Sequence, residues 1–208
     1  MKREEKNQLT RRKIMDSALT EFSRQGYGAS SVNTICTSQG ISKGIIYHYF
    51  KAKDDLYLAC MEECFEQLTA YLRERIPAEG TADAQLEGYF SARTEFFRTH
   101  PVYQPLFCEA VISPPAHLTA EIQARKQAFD DLNISVLERL LQHITLRPGI
   151  TMADVVDTFR QFQDFINAKD PVAAMDAQEF RLRDQRCRKA LDILLYGVIT
   201  REDDHHER

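Results

Sequence analysis

Two short stretches of helix-forming sequence that flank Gly40 constrain this chain more than any other feature. Gly40 has no Cβ atom, so the backbone can reverse tightly there. Ser42 follows, and its hydroxyl can accept a hydrogen bond from the first amides of the next helix, which ends in the aromatic-rich residues 47–50. A short helix, a tight turn and a capped second helix predict a helix-turn-helix, in which the second helix can enter the major groove of DNA.

Helical periodicity continues through the rest of the chain, and no period-2 pattern typical of strands appears. The first helix should end at Gly26 and Gly28. Ser31 should cap the second. We therefore predict an all-α fold with helices at about 8–25, 32–39, 43–49, 54–76, 83–99, 116–146, 152–168 and 175–200, and a short element within 101–112.

The breaks in this pattern divide the chain into a head and a body. Residues 1–53 should form a three-helix helix-turn-helix domain, and residues 54–200 a helical effector-binding and dimerisation domain. The 54–76 helix, on the order of 35 Å long, should connect them. Residues 77–81 contain the helix breakers of a linker, and residues 201–208 should form a flexible tail.

Charge is distributed unevenly between the two parts. Residues 1–53 hold ten Lys/Arg and four Asp/Glu, a balance of +6, whereas the other residues hold seventeen and twenty-seven, a balance of −10. A basic head on an acidic body suits a protein whose head meets phosphates, although an uneven surface can also arise by chance.

Several classes of protein are disfavoured by what the sequence lacks. No signal peptide is readable, and no apolar stretch approaches the roughly 20 residues that span a bilayer. Five irregularly spaced cysteines suggest reduced thiols in a cytoplasm. The pair Cys60 and Cys64 could contribute to a zinc site or a thiol switch, but core packing is the favoured interpretation. No nucleophile elbow, phosphate loop or HExxH motif appears, so we predict no enzyme, catalytic residue, metal or cofactor.

Residues 10–57, about a quarter of the chain, resemble the N-terminal domain of the TetR family of transcriptional regulators. The remaining sequence agrees with the family only in helical character and length. The resemblance is carried by residues 14–22, Gly26, Tyr27, Ser31, Val32, Ile35, residues 40–50 and residues 53–56.

The resemblance and the capped helix together indicate which residues meet DNA. Gly44 lets the backbone approach closely, Tyr47 and His48 lie on the exposed side of the reading helix, and Lys43 and Lys53 lie at helix starts beside it. Ile46, Tyr49 and Phe50 should instead face inward. The predicted DNA-binding set is Ser31, Ser42, Lys43, Gly44, Ile45, Tyr47, His48 and Lys53.

Ile45 departs from the family pattern, which often has Thr or Ser at this position. Its aliphatic side chain cannot bond a phosphate, but it could pack against a thymine methyl group, which is a base-specific contact.

For the body, the resemblance implies a homodimer and a pocket for a small organic effector. The 152–168 helix carries apolar residues over more than one face, which can serve a core and a partner together. Residues predicted for the dimer interface are Phe159, Phe162, Ile166, Leu191, Leu194, Leu195 and Val198; those predicted for the pocket are Tyr89, Phe90, Arg93, Phe96, Phe97, Tyr103, Phe107 and Cys108.

The sequence therefore predicts a TetR-like transcriptional regulator. It should be a homodimeric cytoplasmic repressor that a small molecule releases from a two-fold symmetric operator in double-stranded DNA. The alternative is a DNA-binding or nucleoid-associated protein that works through a protein partner without a small effector.

Overall fold

The computed structural model describes residues 3–38, 40–77, 79–142, 144–169 and 177–198, excepting the side chains at 82–83, 163–169, 177, 180, 183–184, 192 and 194–198. The tail predicted at 201–208 lies outside the described residues. Within them the fold is all-α, as predicted. Its helices are α1 Arg3–Ala29, α2 Val32–Ser38, α3 Lys43–Tyr49, α4 Lys53–Arg75, α5 Ala82–Thr99, α6 Tyr103–Ile112, α7 Thr119–Leu141, α8 Met152–Lys169 and α9 Ala177–Val198, with a 3-10 turn at Ala116–Leu118 before α7.

The head consists of α1, α2 and α3 packed around one small core. Ile14, Phe22 and Ile35 are almost completely buried, and Ile46 of α3 joins them. The Ser17 hydroxyl of α1 donates a hydrogen bond of 2.8 Å to the carbonyl oxygen of Ile35, which fixes α2 against α1.

Glycine conformations confirm two of the predicted chain reversals. Gly26 interrupts α1 with φ +68°, and Gly40 has φ +62°, both in the left-handed region that glycine adopts most readily. Gly28 has no positive φ and lies within the last helical turn of α1. The prediction that Gly28 helps to end the helix is therefore wrong.

The body packs around α4, which begins in the head and makes its most extensive contacts with α7. Buried α4 residues include Met61, Phe65, Leu68 and Leu72. None of the described helices combines the length and apolar character that crossing a membrane requires.

The α7 helix is shorter than predicted. It ends at Leu141 instead of about residue 146, and the amide of Ile144 closes a turn onto the Leu141 carbonyl. Ile144 and Leu146 still pack against the core, but from a non-helical segment. Pro148 disfavours helical backbone at Arg147, so a helix could not continue past this point. The apolar pattern of the sequence nevertheless extends beyond the end of α7, which is why the predicted helix was too long.

Candidate nucleic-acid interface and ligand cavity

The reading helix α3 is held at both ends. The Ser42 side chain accepts a hydrogen bond of 3.4 Å from the Ile45 amide, and the Phe50 amide bonds the Ile46 carbonyl at the C-terminal end. Ile46 is only 1% exposed and Phe50 is buried, which anchors one face of α3 in the head. The predicted cap and the predicted inward face are therefore both present.

The other face of α3 is open to solvent. Ile45 is 42% exposed and Tyr47 is 43% exposed, and Lys43, Gly44 and His48 are also exposed. The Lys43 ammonium lies 5.9 Å from the centroid of the Tyr47 ring. A Cβ atom added to Gly44 would meet no atom within 4 Å, so the backbone surface there is unobstructed. A cation, an apolar side chain and two polar-tipped rings thus form one accessible surface.

Ser31 and Tyr49 have structural roles beside this surface. The Ser31 hydroxyl oxygen accepts a hydrogen bond of 3.1 Å from the Thr34 amide, which caps α2 as predicted. Tyr49, predicted to face inward, is half-buried, and its hydroxyl donates to the Asn7 carbonyl at 3.2 Å. This bond ties α3 to the beginning of α1.

Lys53 is placed differently from the other predicted DNA-binding residues. Its ammonium donates hydrogen bonds to the carbonyl oxygens of Tyr27 at 2.6 Å and Ser30 at 3.0 Å, and it lies 4.1 Å from the centroid of the Tyr27 ring. The charge is directed toward the carbonyls that end α1, and the DNA contact predicted for Lys53 stays a prediction. Lys53 joins the end of α1 to the start of α4.

A cavity of about 420 Å³ lies in the body between α5, α6, α7, α8 and α9. Four residues predicted for a pocket do line it: Tyr89, Phe90, Arg93 and Phe107. The α7 helix contributes a large part of the wall, and sequence reasoning did not assign it to the pocket. Its lining residues include Gln123, Lys126, Phe129, Asp130, Asn133, Val136, Leu137 and Leu140.

The other four predicted pocket residues, Phe96, Phe97, Tyr103 and Cys108, are buried but do not line this cavity. Phe96 stacks on Tyr103 with 5.8 Å between ring centroids. The Tyr103 hydroxyl donates to Glu63 of α4 at 2.6 Å, and burial raises the pKa of Tyr103. These four residues therefore pack in the core, whereas other aromatic residues of α5 and α6 line the cavity.

Three residues predicted for a dimer interface, Phe159, Phe162 and Leu191, also line the cavity. Phe159 and Leu191 are buried and Phe162 is half-buried within the single chain. Their packing within one subunit is the core role that was expected of this stripe beside a partner role, and the dimer interface stays a prediction. The side chains of Ile166, Leu194, Leu195 and Val198 lie outside the described part of the structure.

Comparisons with known proteins agree with this arrangement. Residues 14–60 match the family described as bacterial regulatory proteins, tetR family. The Escherichia coli K12 HTH-type transcriptional regulator UidR is 27% identical over 154 residues, which cover 66% of this chain and 79% of UidR. The Staphylococcus epidermidis negative transcriptional regulator IcaR is 25% identical over 131 residues, covering 63% of this chain and 67% of IcaR.

The chain belongs to the TetR family. It is a DNA-binding transcriptional regulator and not an enzyme.

Solved TetR-like structures support the fold over almost the whole chain. The regulator FadR from Bacillus subtilis, solved in complex with stearoyl-CoA, has a TM-score of 0.63 at 18% identity, covering 89% of this chain and 95% of FadR. The ketosteroid regulator KstR2 of Mycobacterium tuberculosis has a TM-score of 0.52 at 20% identity, covering 92% of this chain and 95% of KstR2. At such low identity these likenesses establish the fold alone.

In this TetR-family chain, the head and body are joined by a carboxylate that sequence reasoning missed. Glu109 of α6 accepts hydrogen bonds from the Tyr27 amide, at 2.9 and 3.2 Å to its two oxygens, and from the Tyr57 hydroxyl at 2.8 Å. A Cβ atom at Gly26 would stand 3.1 Å from a Glu109 oxygen, so glycine also makes room for this contact. The available signal was a single charged residue within the otherwise uncharged α6 helix.

Tyr27 contacts the body through its side chain as well. Its hydroxyl donates to Asp54 at the start of α4 and lies 3.1 Å from the Nε2 atom of His117. Desolvation, reinforced by the hydrogen bond to Asp54, raises the pKa of Tyr27 to about 12. The end of α1 is therefore connected to α4, to α6 and to the 3-10 turn before α7.

The cysteines of α4 belong to the core of this TetR-family protein. Cys60 and Cys64 are completely buried, and burial raises the pKa of both thiols, which keeps them protonated. Among the described residues there is no group of three or more His, Cys, Asp or Glu side chains placed to hold a metal ion. Core packing, the favoured interpretation of this pair, agrees with their burial.

Proposed function

We propose that this TetR-family regulator is a homodimeric cytoplasmic repressor, and that a small organic molecule in the body cavity releases it from DNA. The observation that carries the proposal is the exposed face of α3, which presents Lys43, Ile45, Tyr47 and His48 together on a helix anchored by Ile46. Two such heads related by two-fold symmetry would read half-sites roughly 34–36 Å apart, about one helical turn of DNA.

The proposed DNA-binding set is the predicted one without Lys53. Lys43, and the amides at the start of α3 that Ser42 caps, would meet phosphates, and Ser31 would hold α2 in place beside the backbone. Gly44, Ile45, Tyr47 and His48 would face the base edges.

The proposed effector role rests on the cavity. A volume of about 420 Å³ lies within the range of roughly 300–1,000 Å³ typical of small-molecule sites. FadR was solved with stearoyl-CoA and KstR2 is named a ketosteroid regulator, so organic ligands have precedent on this fold. The alternative, a regulator that works through a protein partner alone, would leave this cavity without a ligand.

Selection of binding sites from a randomised duplex DNA library tests the head. The expected result is a two-fold symmetric consensus that wild-type protein binds and that Tyr47→Ala binds at least tenfold more weakly. Lys189→Ala, which removes an exposed cation from α9, is the control and should bind like the wild type. Failure to enrich any consensus would refute sequence-specific regulation by this head.

Base reading by Ile45 has its own test on the selected site. An apolar side chain that is 42% exposed on the reading face can pack on a thymine methyl group. Replacing each thymine by uracil in turn should weaken wild-type binding at one position per half-site, and Ile45→Thr should lose that sensitivity. Equal affinity for every uracil-substituted duplex would contradict the assignment.

A further inference from the structure

The cavity contains one buried amide side chain. Asn133 of α7 lines the cavity and is only 5% exposed. Its Oδ1 atom accepts a hydrogen bond of 2.8 Å from the hydroxyl of Tyr89, a second lining residue. The amide is thereby held in one orientation, with its oxygen occupied.

The amide nitrogen of Asn133 has no hydrogen-bond acceptor among the described residues. An amide group offers two N–H donors. This nitrogen is not among the fully buried atoms that lack a partner, so it retains accessible surface on a residue that lines the cavity. A ligand oxygen in the cavity would satisfy this donor. The free nitrogen therefore favours a ligand with a hydrogen-bond acceptor.

Charged side chains at the cavity wall have partners. Arg93, which lines the cavity and is only 8% exposed, has its guanidinium 5.2 Å from the centroid of the Phe107 ring. Lys126 and Asp130 form a largely buried ion pair, and Gln123 donates a further hydrogen bond of 3.2 Å to Asp130. Arg160 pairs with Asp157 at 3.3 Å. These pairs reduce the attraction that the wall offers to a charged ligand.

Most of the residues that line the cavity are aromatic or aliphatic. Phe107 and Phe129 meet edge to face with 5.7 Å between centroids, and Tyr89 and Phe90 do so at 5.3 Å. Rings are good partners for further rings in this geometry. A volume of 420 Å³ corresponds to about fourteen waters of liquid, so the ligand should have a similar number of non-hydrogen atoms.

We propose that the cavity binds a neutral, ring-containing organic molecule whose carbonyl or ether oxygen accepts a hydrogen bond from the Asn133 amide. Tyr89 positions that amide by holding its oxygen. This ligand class deepens the proposed function and rests on it only for the claim that occupancy releases DNA.

Fluorenone and fluorene are suitable probes, because they share one shape and differ in having C=O or CH₂ at the same position. Their dissociation constants for the full chain would be measured by calorimetry. Wild type should favour fluorenone, and Asn133→Leu should reduce the fluorenone-to-fluorene affinity ratio by roughly tenfold. Asn133→Asp, which keeps the size but removes the donor, should lose the preference as well.

Phe129→Leu is the matched control, since it alters the wall without touching the amide and should weaken both probes by a similar factor. An unchanged ratio in both Asn133 variants, or failure of both probes to bind wild type, would overturn the proposal. Tighter binding of fluorene-9-carboxylate than of fluorenone would overturn it too, because a cation would then dominate.

Release of the selected operator duplex distinguishes the two proposals. Preferential fluorenone binding without release would leave the ligand class standing and refute the effector role. If fluorene and fluorenone both release the operator in proportion to their binding, with no preference that depends on Asn133, the effector role stands and the ligand class is refuted.

Discussion

Replacing Glu109 by alanine should destabilise the whole molecule, although the residue belongs to α6 and not to the reading helix α3. The carboxylate accepts hydrogen bonds from the Tyr27 amide and the Tyr57 hydroxyl, and these come from two different helices. Tyr57 is 0% exposed, so its hydroxyl cannot turn to solvent when the acceptor is removed. Burial, reinforced by the nearby Glu109 carboxylate, raises the pKa of Tyr57, which keeps the donor protonated.

The size of the effect follows from the donors left without partners. An unsatisfied buried donor costs about 1–3 kcal/mol. The Tyr57 hydroxyl is buried and the Tyr27 amide is part-buried, so together they should lower the free energy of unfolding by roughly 1–4 kcal/mol. For a chain of about 200 residues, about 3 kcal/mol corresponds to a fall in Tm of roughly 6–12 °C. Glu109→Gln keeps the volume and one acceptor oxygen, so its loss should be smaller.

Thermal unfolding followed by circular dichroism measures this loss, with Glu66→Ala as the control for removing an exposed α-helical carboxylate. The double variant Glu109→Ala/Tyr57→Phe should be no less stable than Glu109→Ala, because Phe removes the stranded donor. A fall in Tm below about 2 °C for Glu109→Ala, or full additivity of the two changes, would refute the reasoning.

Two further results are expected. The pKa of Tyr27 is raised to about 12, so the stabilisation linked to its protonated hydroxyl is complete below pH 10 and is lost as pH rises toward 12. Tyr27→Phe lacks this hydroxyl, so its stability in urea titrations should fall less steeply than that of wild type between pH 10 and pH 12. Lys43→Ala should reduce the slope of log affinity against log salt by about 2, roughly 1 for each head of the proposed dimer, with little change in Tm. Lys53→Ala should instead lower Tm, because its ammonium bonds two carbonyls. A reduced salt slope for Lys53→Ala at unchanged Tm would contradict its assignment to the fold.

Local chemistry explains why the head could be predicted closely. The turn at Gly40 needs a positive φ, Ser42 caps the helix that it precedes, and Ile46 follows the helical period into the core. Each of these signals acts within a few residues, and the sequence displays it directly. Such signals are strongest where a short motif must fold in one way.

Long-range packing explains what the sequence did not reveal. Phe97 and Phe107 are aromatic residues of similar character, yet only Phe107 reaches the cavity, because α7 determines which face of the α5 and α6 pair is covered. Lys53 adjoins the helix-turn-helix in sequence, but it contacts carbonyls 23 and 26 residues away. Partners that distant depend on the mutual positions of helices, which periodicity does not specify.

The α6 helix shows how the two functional regions can influence each other. Phe107 and Val111 lie one helical turn apart and line the cavity, whereas Glu109 is about 200° around the helix from both and bonds Tyr27. All three belong to one ten-residue helix, Tyr103–Ile112, so a displacement of its cavity face also moves the carboxylate. The hydrogen bonds to Glu109 now measure 2.8 and 2.9 Å. A cavity ligand that shifts Phe107, and with it α6, by about an ångström away from the head would stretch them beyond the range of a hydrogen bond. We therefore predict that occupancy of the cavity and the position of the head are linked through Glu109, and that Glu109→Gln weakens this coupling even where it leaves ligand and DNA affinities separately intact.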